Sequence, residues 1–342
     1  MKKVNDFAWY LSRFLTVYLS GEKNLSTNTI AAYRDTFRLF LLFCEQKRKV
    51  TPDRVTISLL TKELIIDYLD WLETERRCTT TTRNQRLSSI HGFLKYVQME
   101  MPENLFELRR ILGISPKRTA KTIVPYLTEN ELKILFEQPD VRTRQGKRDL
   151  VLLVLMYDSA ARVQELADLR VKNIRLESPA VIALHGKGNK TRHVPILGKT
   201  KELLIGYLED HKKYEWGIPI MDRPVFFNQQ HQQLTRWGIS YILNTYVNMA
   251  RKHDDFNIAF AVTPHVLRHS KAMGMLKSGI NLVYIRDFLG HINVTTTEVY
   301  ARADSGMKRK ALEGSYRELY TEQLPLWESD IGLMQWLQDL CK

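Results

Sequence analysis

The stretch at residues 113–126 most constrains how this chain folds. Pro116 and Pro125 bracket Lys117, Arg118 and Lys121, and amphipathic helical periodicity stops before the stretch and resumes after it. Proline fixes φ, removes a backbone donor and pushes the preceding residue to extended geometry. The expected organisation is a domain over 1–112, a basic extended linker over 113–126 and a second domain over 127–342. A length of 342 residues suits two domains. With 44% hydrophobic and 26% charged residues, both have the material for a core.

Four apolar stripes run through the first region at helical spacing: Phe7, Leu11, Phe14, Leu15 and Tyr18; Ile30, Tyr33, Phe37, Phe40 and Cys44; Leu64, Ile65, Tyr68, Trp71 and Leu72; Leu87, Ile90, Leu94 and Val97. Ser26 and Thr61 suit helix caps. Four amphipathic helices with short connections predict a compact bundle. Their polar faces hold Arg34 and Arg38 on the second helix, and Arg83, Arg86 and Lys95 on the fourth, with the hydroxyls of Thr79 to Thr82 just ahead. Such charges by default form a solvated face. The net charge of +13 nevertheless favours a polyanionic partner, nucleic acid ahead of acidic lipid. Lys117, Arg118 and Lys121 would then close around a duplex, and the plain alternative is a solvated tether.

The second region starts on a capping box, Thr128 to Glu131, followed by Leu132, Leu135 and Phe136. An apolar helix is predicted over 149–159. Arg162 and Glu165 come next, three apart at the head of a short helix. The convincing β signal is a hairpin: Val181 to Leu184, a turn at 186–189 bearing Lys187, then Arg192 to Ile196. Segments 201–209 and 238–251 are helical by period. The expected fold is mainly α, a helical bundle plus a mixed α+β domain with a small antiparallel sheet.

The stretch from Val262 to Arg302 concentrates the chemistry. Pro264 suits the first turn of a helix, which places His265 and Arg268 on one face near N-terminal amides that favour an anion. Leu289, Gly290 and His291 read as a turn, and Thr295 to Thr297 open a short helix carrying Tyr300. A phosphate is the natural guest. His265 and His269 are four apart, as in a zinc pair, but Val266 stands where an HExxH motif needs its glutamate, so no metal is expected.

The segments HVLR, LGH and VYAR, in this order and spacing, resemble the signature of the tyrosine recombinase (phage integrase) family. The resemblance covers about residues 5–315. It implies a SAM-like core-binding bundle that lays basic helices on DNA, followed by a catalytic domain. It also implies attack by Tyr300 on a phosphodiester to give a 3′-phosphotyrosyl link. Arg162 and Arg268 would then clamp the phosphate, Lys187 serve as general acid, and His265 as base. His291 would donate to the phosphate, and Glu165 would orient its neighbours. No cofactor is required, because the covalent link stores the bond energy. The expected partners are double-stranded DNA core sites and a homotetramer, with or without a second recombinase. The alternatives are a non-cutting DNA-binding protein of this fold and a type IB topoisomerase.

One position departs from the family pattern. A glycine usually precedes the first arginine, as in TGxR, whereas this chain reads Ser159, Ala160, Ala161, Arg162. If that turn needs positive φ, alanine costs something there. The bundle starts close to the N-terminus, so no extra arm-binding domain is expected, as in chromosome-resolution and transposon recombinases. The resemblance implies a C-terminal segment passed to a neighbouring subunit, and residues 326–342 are apolar enough either for that or for packing in cis. Cys44, Cys78 and Cys341 are scattered, which suggests free thiols in a reducing compartment. No signal-peptide core is seen, and the longest apolar run, Leu150 to Tyr157, is far short of a membrane span. The expected location is the cytoplasm, in association with the nucleoid.

Overall fold

The computed structural model describes residues 6–101, 105–119, 124–186, 190–213, 217–290, 297, 300 and 332–340. Contacts divide the chain into Met1–Thr122 and Ile123–Lys342, a boundary inside the stretch bracketed by the two prolines. No helix among the described residues is long and apolar enough to cross a membrane.

In the first unit, helix α1 (Asp6–Arg13) runs into a π-helical segment (Phe14–Glu22). The i→i+5 bonds of a π-helix widen the turn. The buried residues are therefore Phe7, Phe14 and Leu19, while Leu11, Leu15 and Tyr18 of the expected stripe are only half-buried. Helices α2 (Thr27–Arg48), α3 (Lys62–Thr74) and α4 (Thr80–Glu100) follow, each started by a hydroxyl cap: Ser26, Thr61 and Thr79 accept from the amide three residues on. Phe7, Phe14, Phe37 and Phe93 interlock edge to face, with Phe37 and Phe93 centroids 5.0 Å apart. Helix α5 (Leu105–Leu112), not separately expected, buries Leu108 and Ile111.

The start of the expected linker is part of this unit. Ile114 joins the bundle core. The backbone of Lys117 exchanges two hydrogen bonds with the Asn84 side chain, at 2.8 and 3.0 Å, and its ammonium pairs with Glu73. Lys117 is thus tied to the bundle rather than free on a strap.

The second unit contains α6 (Glu129–Phe136), α7 (Arg144–Asp158), α8 (Val163–Ala167) and a three-stranded antiparallel sheet. Its strands β1 (Ile174–Arg175), β2 (Val181–His185) and β3 (Thr191–Pro195) lie in the order β1-β2-β3. The short β1 carried no clear sequence signal. Ile182 faces Val194 and Leu184 faces Arg192 across the hairpin. Helices α9 (Gly198–Lys212), α10 (Arg236–Ala250), α11 (Pro264–Lys277) and α12 (Leu282–Leu289) complete the domain, and α13 (Leu333–Asp339) lies near the C-terminus. Helix α7 is buried along most of its length because Val151, Leu152, Leu153, Leu155 and Met156 face inward. Gly146 in its first turn is required: a Cβ there would stand 2.0 Å from the Asp140 carbonyl oxygen.

Candidate active site

Four elements of the second unit converge on the turn between α7 and α8. Ala160 in that turn adopts φ of +46°, so the alanine at the family's glycine position does occupy the left-handed region. Its carbonyl consequently faces α11, where Arg268 Nη1 donates to it at 2.6 Å. Arg268 Nη2 donates to the Leu289 carbonyl at the end of α12. Gly290 caps α12 with φ of +64°, its N–H donating to the Arg286 and Asp287 carbonyls, while the Leu289 carbonyl is taken by Arg268.

Arg162 is the N-cap of α8. Glu165 Oε2 accepts from its backbone N–H at 2.8 Å, and Oε1 accepts from its guanidinium at 2.8 Å. The other arm of Arg162 points to the Gly290 carbonyl at 3.4 Å. Glu165 is buried with side-chain exposure of 2%. Burial alone would raise its pKa. The bonds and charges of Arg192, then of Arg162, outweigh that and hold it below the usual carboxylate value. Arg192 from β3 is the residue that sequence reasoning missed, since a strand arginine beside a lysine-bearing turn has no distinguishing pattern.

Helix α11 starts as expected, with Thr263 as N-cap and Pro264 in the first turn. It presents His265 to the exterior and buries Arg268 at 3% exposure. Burial, then Arg162 and Arg192, lower the Arg268 pKa to about 9, which leaves it cationic at neutral pH. Desolvation, then Arg268 and Arg162, lower that of His265 and favour its neutral form. Tyr300 lies in the cluster of Ala160, Ala272, Met273, Leu276, Ile285 and Leu289 and is only 1% exposed. Its hydroxyl meets Nδ1 of His269 at 2.8 Å, and the His265 ring lies 6.4 Å beyond that of His269. Thus His269, considered from sequence only as half of a zinc pair, is the histidine that touches the tyrosine. Its place one turn after His265 was the available signal.

Arg162, Glu165, His265, Arg268 and Tyr300 therefore gather around one turn. Lys187 and His291 lie outside the described residues. Gly186 and Lys190 flank the hairpin turn, and the Gly186 N–H donates to the Lys190 carbonyl at 2.8 Å. A Cβ on Gly186 would lie 3.1 Å from Glu165 Oε1, so the hairpin tip begins beside this cluster.

The basic residues expected on the bundle divide. Arg38, Lys95 and Arg118 are exposed, and Arg34 is exposed but paired with Asp35 at 3.0 Å. Arg83 departs from expectation: it is 4% exposed and donates to Asn84. Arg86 is spent on the Ala32 carbonyl and the Thr36 hydroxyl, at 3.0 and 3.1 Å. Helical spacing places both on the polar side of α4, but α2 packs near enough to claim Arg86, and Arg83 is buried beside its neighbour Asn84. Thr79 and Thr82 bond to each other as a helix cap. Lys121 lies outside the described residues.

Residues 125–307 match the model described as the phage integrase family, and residues 11–100 that of the phage integrase N-terminal SAM-like domain. A protein of Sinorhizobium fredii described as an integrase/recombinase, y4rC, is 31% identical over 340 residues, spanning 99% of this chain and 100% of that protein. The tyrosine recombinase XerC of Bacillus pumilus is 32% identical over 295 residues, 86% of this chain and 92% of its own. The Tn1549 transposon integrase in complex with transposon right end DNA has a TM-score of 0.66 at 17% identity, covering 89% of this chain and 99% of that one. XerH site-specific recombinase bound to palindromic difH substrate has a TM-score of 0.65 at 20% identity, covering 85% and 81%. Both structures share the fold.

Proposed function

This chain belongs to the phage integrase family, the tyrosine-type site-specific recombinases, and from that premise we propose that it cleaves and rejoins DNA through a 3′-phosphotyrosyl intermediate on Tyr300. The observation that supports this most is the convergence of Arg162 and Arg268 on the carbonyls of Ala160, Leu289 and Gly290, beside the cluster that holds Tyr300.

A phosphodiester under attack gathers charge on its non-bridging oxygens, and two protonated guanidinium forks match that geometry. Arg162 and Arg268 take this role, with His265 and His291 as flanking groups. The Tyr300 hydroxyl leaves its buried position, loses its proton and bonds the scissile phosphorus. The bond to the 5′-oxygen breaks, and that oxygen takes a proton from Lys187 and departs as a hydroxyl. A 5′-hydroxyl from a second duplex then attacks the phosphotyrosine, which reseals the strand and restores the phenol. His265 is the proposed base for the tyrosine once it is at the phosphate. Glu165 orients Arg162 without touching DNA.

Double-stranded DNA is the proposed substrate, held in part by Arg34, Arg38, Lys95 and Arg118. The working assembly is a tetramer spanning two sites, in the cytoplasm on the nucleoid. Leu337 in α13 and Leu340 just after it are exposed at 48% and 60%, which supports exchange of the tail between neighbouring subunits. Deleting residues 326–342 leaves DNA binding intact and reduces synapsis; unchanged synapsis refutes the exchange.

Covalent trapping tests the chemistry. Wild type and Tyr300→Phe are incubated with nicked duplexes tiled from DNA flanking the gene and run on a denaturing gel. The expected result is an adduct with wild type alone. An adduct that persists in Tyr300→Phe would overturn the nucleophile, and relaxation of supercoiled DNA without defined sites would favour topoisomerase action.

A further inference from the structure

Arg192 has a side chain 12% exposed and uses one guanidinium to bridge three elements. Nη1 donates to Glu165 Oε1 at 2.7 Å, Nε to the Phe288 carbonyl at 3.1 Å, and Nη2 points to the Ala160 carbonyl at 3.4 Å. Each contact lands beside a residue of the proposed site. Glu165 Oε1 is also the acceptor for Arg162, and the Ala160 carbonyl is also the acceptor for Arg268. Phe288 lies two residues before Gly290, where a Cβ would stand 3.1 Å from Arg192 Cδ. The stem reaches this position because Arg192 opposes Leu184 on the inward face of the hairpin.

We propose that Arg192 is a positioning residue of the strand-transfer site, which fixes the Glu165 carboxylate against Arg162 and ties the β3 arm to the turns around Ala160 and Gly290. This rests on the recombinase reading above and adds to it a group that touches no DNA. Two guanidinium groups on one carboxylate oxygen form a braced pair, and a brace of this kind sets geometry more than it adds stability. The same contacts tie the hairpin to the α7–α8 turn, so the arm leading to Lys187 and the turn leading to Arg162 are held by one side chain.

The charge balance provides a readout that a merely structural residue would not move. The charged groups facing Glu165 are Arg162 at the head of its own helix, Arg192 from β3 and Arg268 from α11. Burial opposes ionisation of Glu165, and Arg192 is the first of the effects that overcome it. Removing Arg192 leaves burial less opposed, so Glu165 takes up a proton at higher pH and lets go of Arg162.

The test compares wild type, Arg192→Met, Arg192→Lys and Glu165→Gln in single-turnover adduct formation on a nicked duplex, from about pH 5.5 to 8.5, with DNA affinity measured alongside. Arg192→Met is expected to lose about 10- to 100-fold in rate. Its loss is deepest at low pH, while DNA affinity holds. Arg192→Lys keeps a cation on Glu165 and is expected to retain the wild-type pH profile at reduced rate, so it serves if the Met variant fails to fold. Glu165→Gln is slow without the added pH dependence. A wild type that cuts beside Arg192 variants with the same rate and pH profile would overturn the role of Arg192 alone. A wild type that forms no adduct would overturn the recombinase chemistry on which the inference rests.

Discussion

The hydroxyl of Tyr300 and Nδ1 of His269 lie 2.8 Å apart inside an apolar cluster, one helical turn along α11 from His265. Desolvation, then His265 and Arg268, push the His269 pKa down to about 4, so the ring is neutral near neutral pH, and in its Nε2–H tautomer Nδ1 accepts from the phenol. Burial raises the phenol above its ordinary value of 10.0. Both shifts, the imidazole down and the phenol up, run against proton transfer across this bond. In this arrangement His269 holds the tyrosine and does not deprotonate it. His269→Asn, whose amide oxygen replaces Nδ1, is expected to keep the bond. His269→Phe strands a buried hydroxyl and loses about 1–3 kcal/mol, measurable by denaturant unfolding.

Acid sensitivity follows from the same histidine. Its folded pKa lies below the unfolded value of about 6.5, so the unfolded chain binds more protons between that value and about 4. Its contribution to stability is complete above about pH 6.5 and declines as pH falls towards 4. His265 and His91 shift in the same direction, so the wild-type slope is a sum. The slope of Tm against pH in His269→Asn is expected to be shallower than in wild type.

Ala160 pairs a left-handed φ with complete burial. The left-handed region costs an L-residue about 1–2 kcal/mol. Replacement by glycine relieves this but forfeits about 0.8 kcal/mol of methyl burial and adds about 0.5–1 kcal/mol of backbone entropy. The terms nearly cancel, so Ala160→Gly is expected to change stability little. Ala160→Val, β-branched at positive φ in a filled site, is expected to lose about 3 kcal/mol or more. Thermal unfolding of both variants checks the pair.

Burial separates the arginines of the bundle. Arg38→Ala and Lys95→Ala are each expected to reduce the salt slope of DNA binding by about one, as lost phosphate contacts do. Arg83→Ala is expected to lower the Tm while leaving that slope unchanged, because its guanidinium lies inside. Titrations at several salt concentrations distinguish the two behaviours.

Arg268 serves two carbonyls and, in the proposed reaction, the phosphate. Arg268→Lys keeps the charge but cannot span Ala160 and Leu289 together. It is expected to lower the rate of adduct formation by about 10²–10³-fold with DNA affinity nearly unchanged. Single-turnover kinetics on a nicked duplex measures this.

Local order alone determined the helical bundle, the hairpin and the motif residues. The caps at Ser26, Thr61 and Thr128, the proline at the head of α11 and the glycine at the end of α12 act within one turn of the chain. Sequence reads such short-range effects directly. The period of α4 also drew Arg83 and Arg86 as a free basic face, because periodicity reports which side of a helix is polar but not what packs on it. Tertiary structure decided that α2 claims Arg86 and that Lys117 folds back on Asn84. It also decided that Arg192, from a separate strand, braces Glu165, and that His269 rather than His265 meets Tyr300. Each of these is a contact between residues 27 to 54 positions apart in sequence, counting from His269–Tyr300 at 31, Arg192–Glu165 at 27 and Arg86–Ala32 at 54. The physical reason is that a side chain's partner at such separations is set by how whole elements pack, which no local pattern encodes.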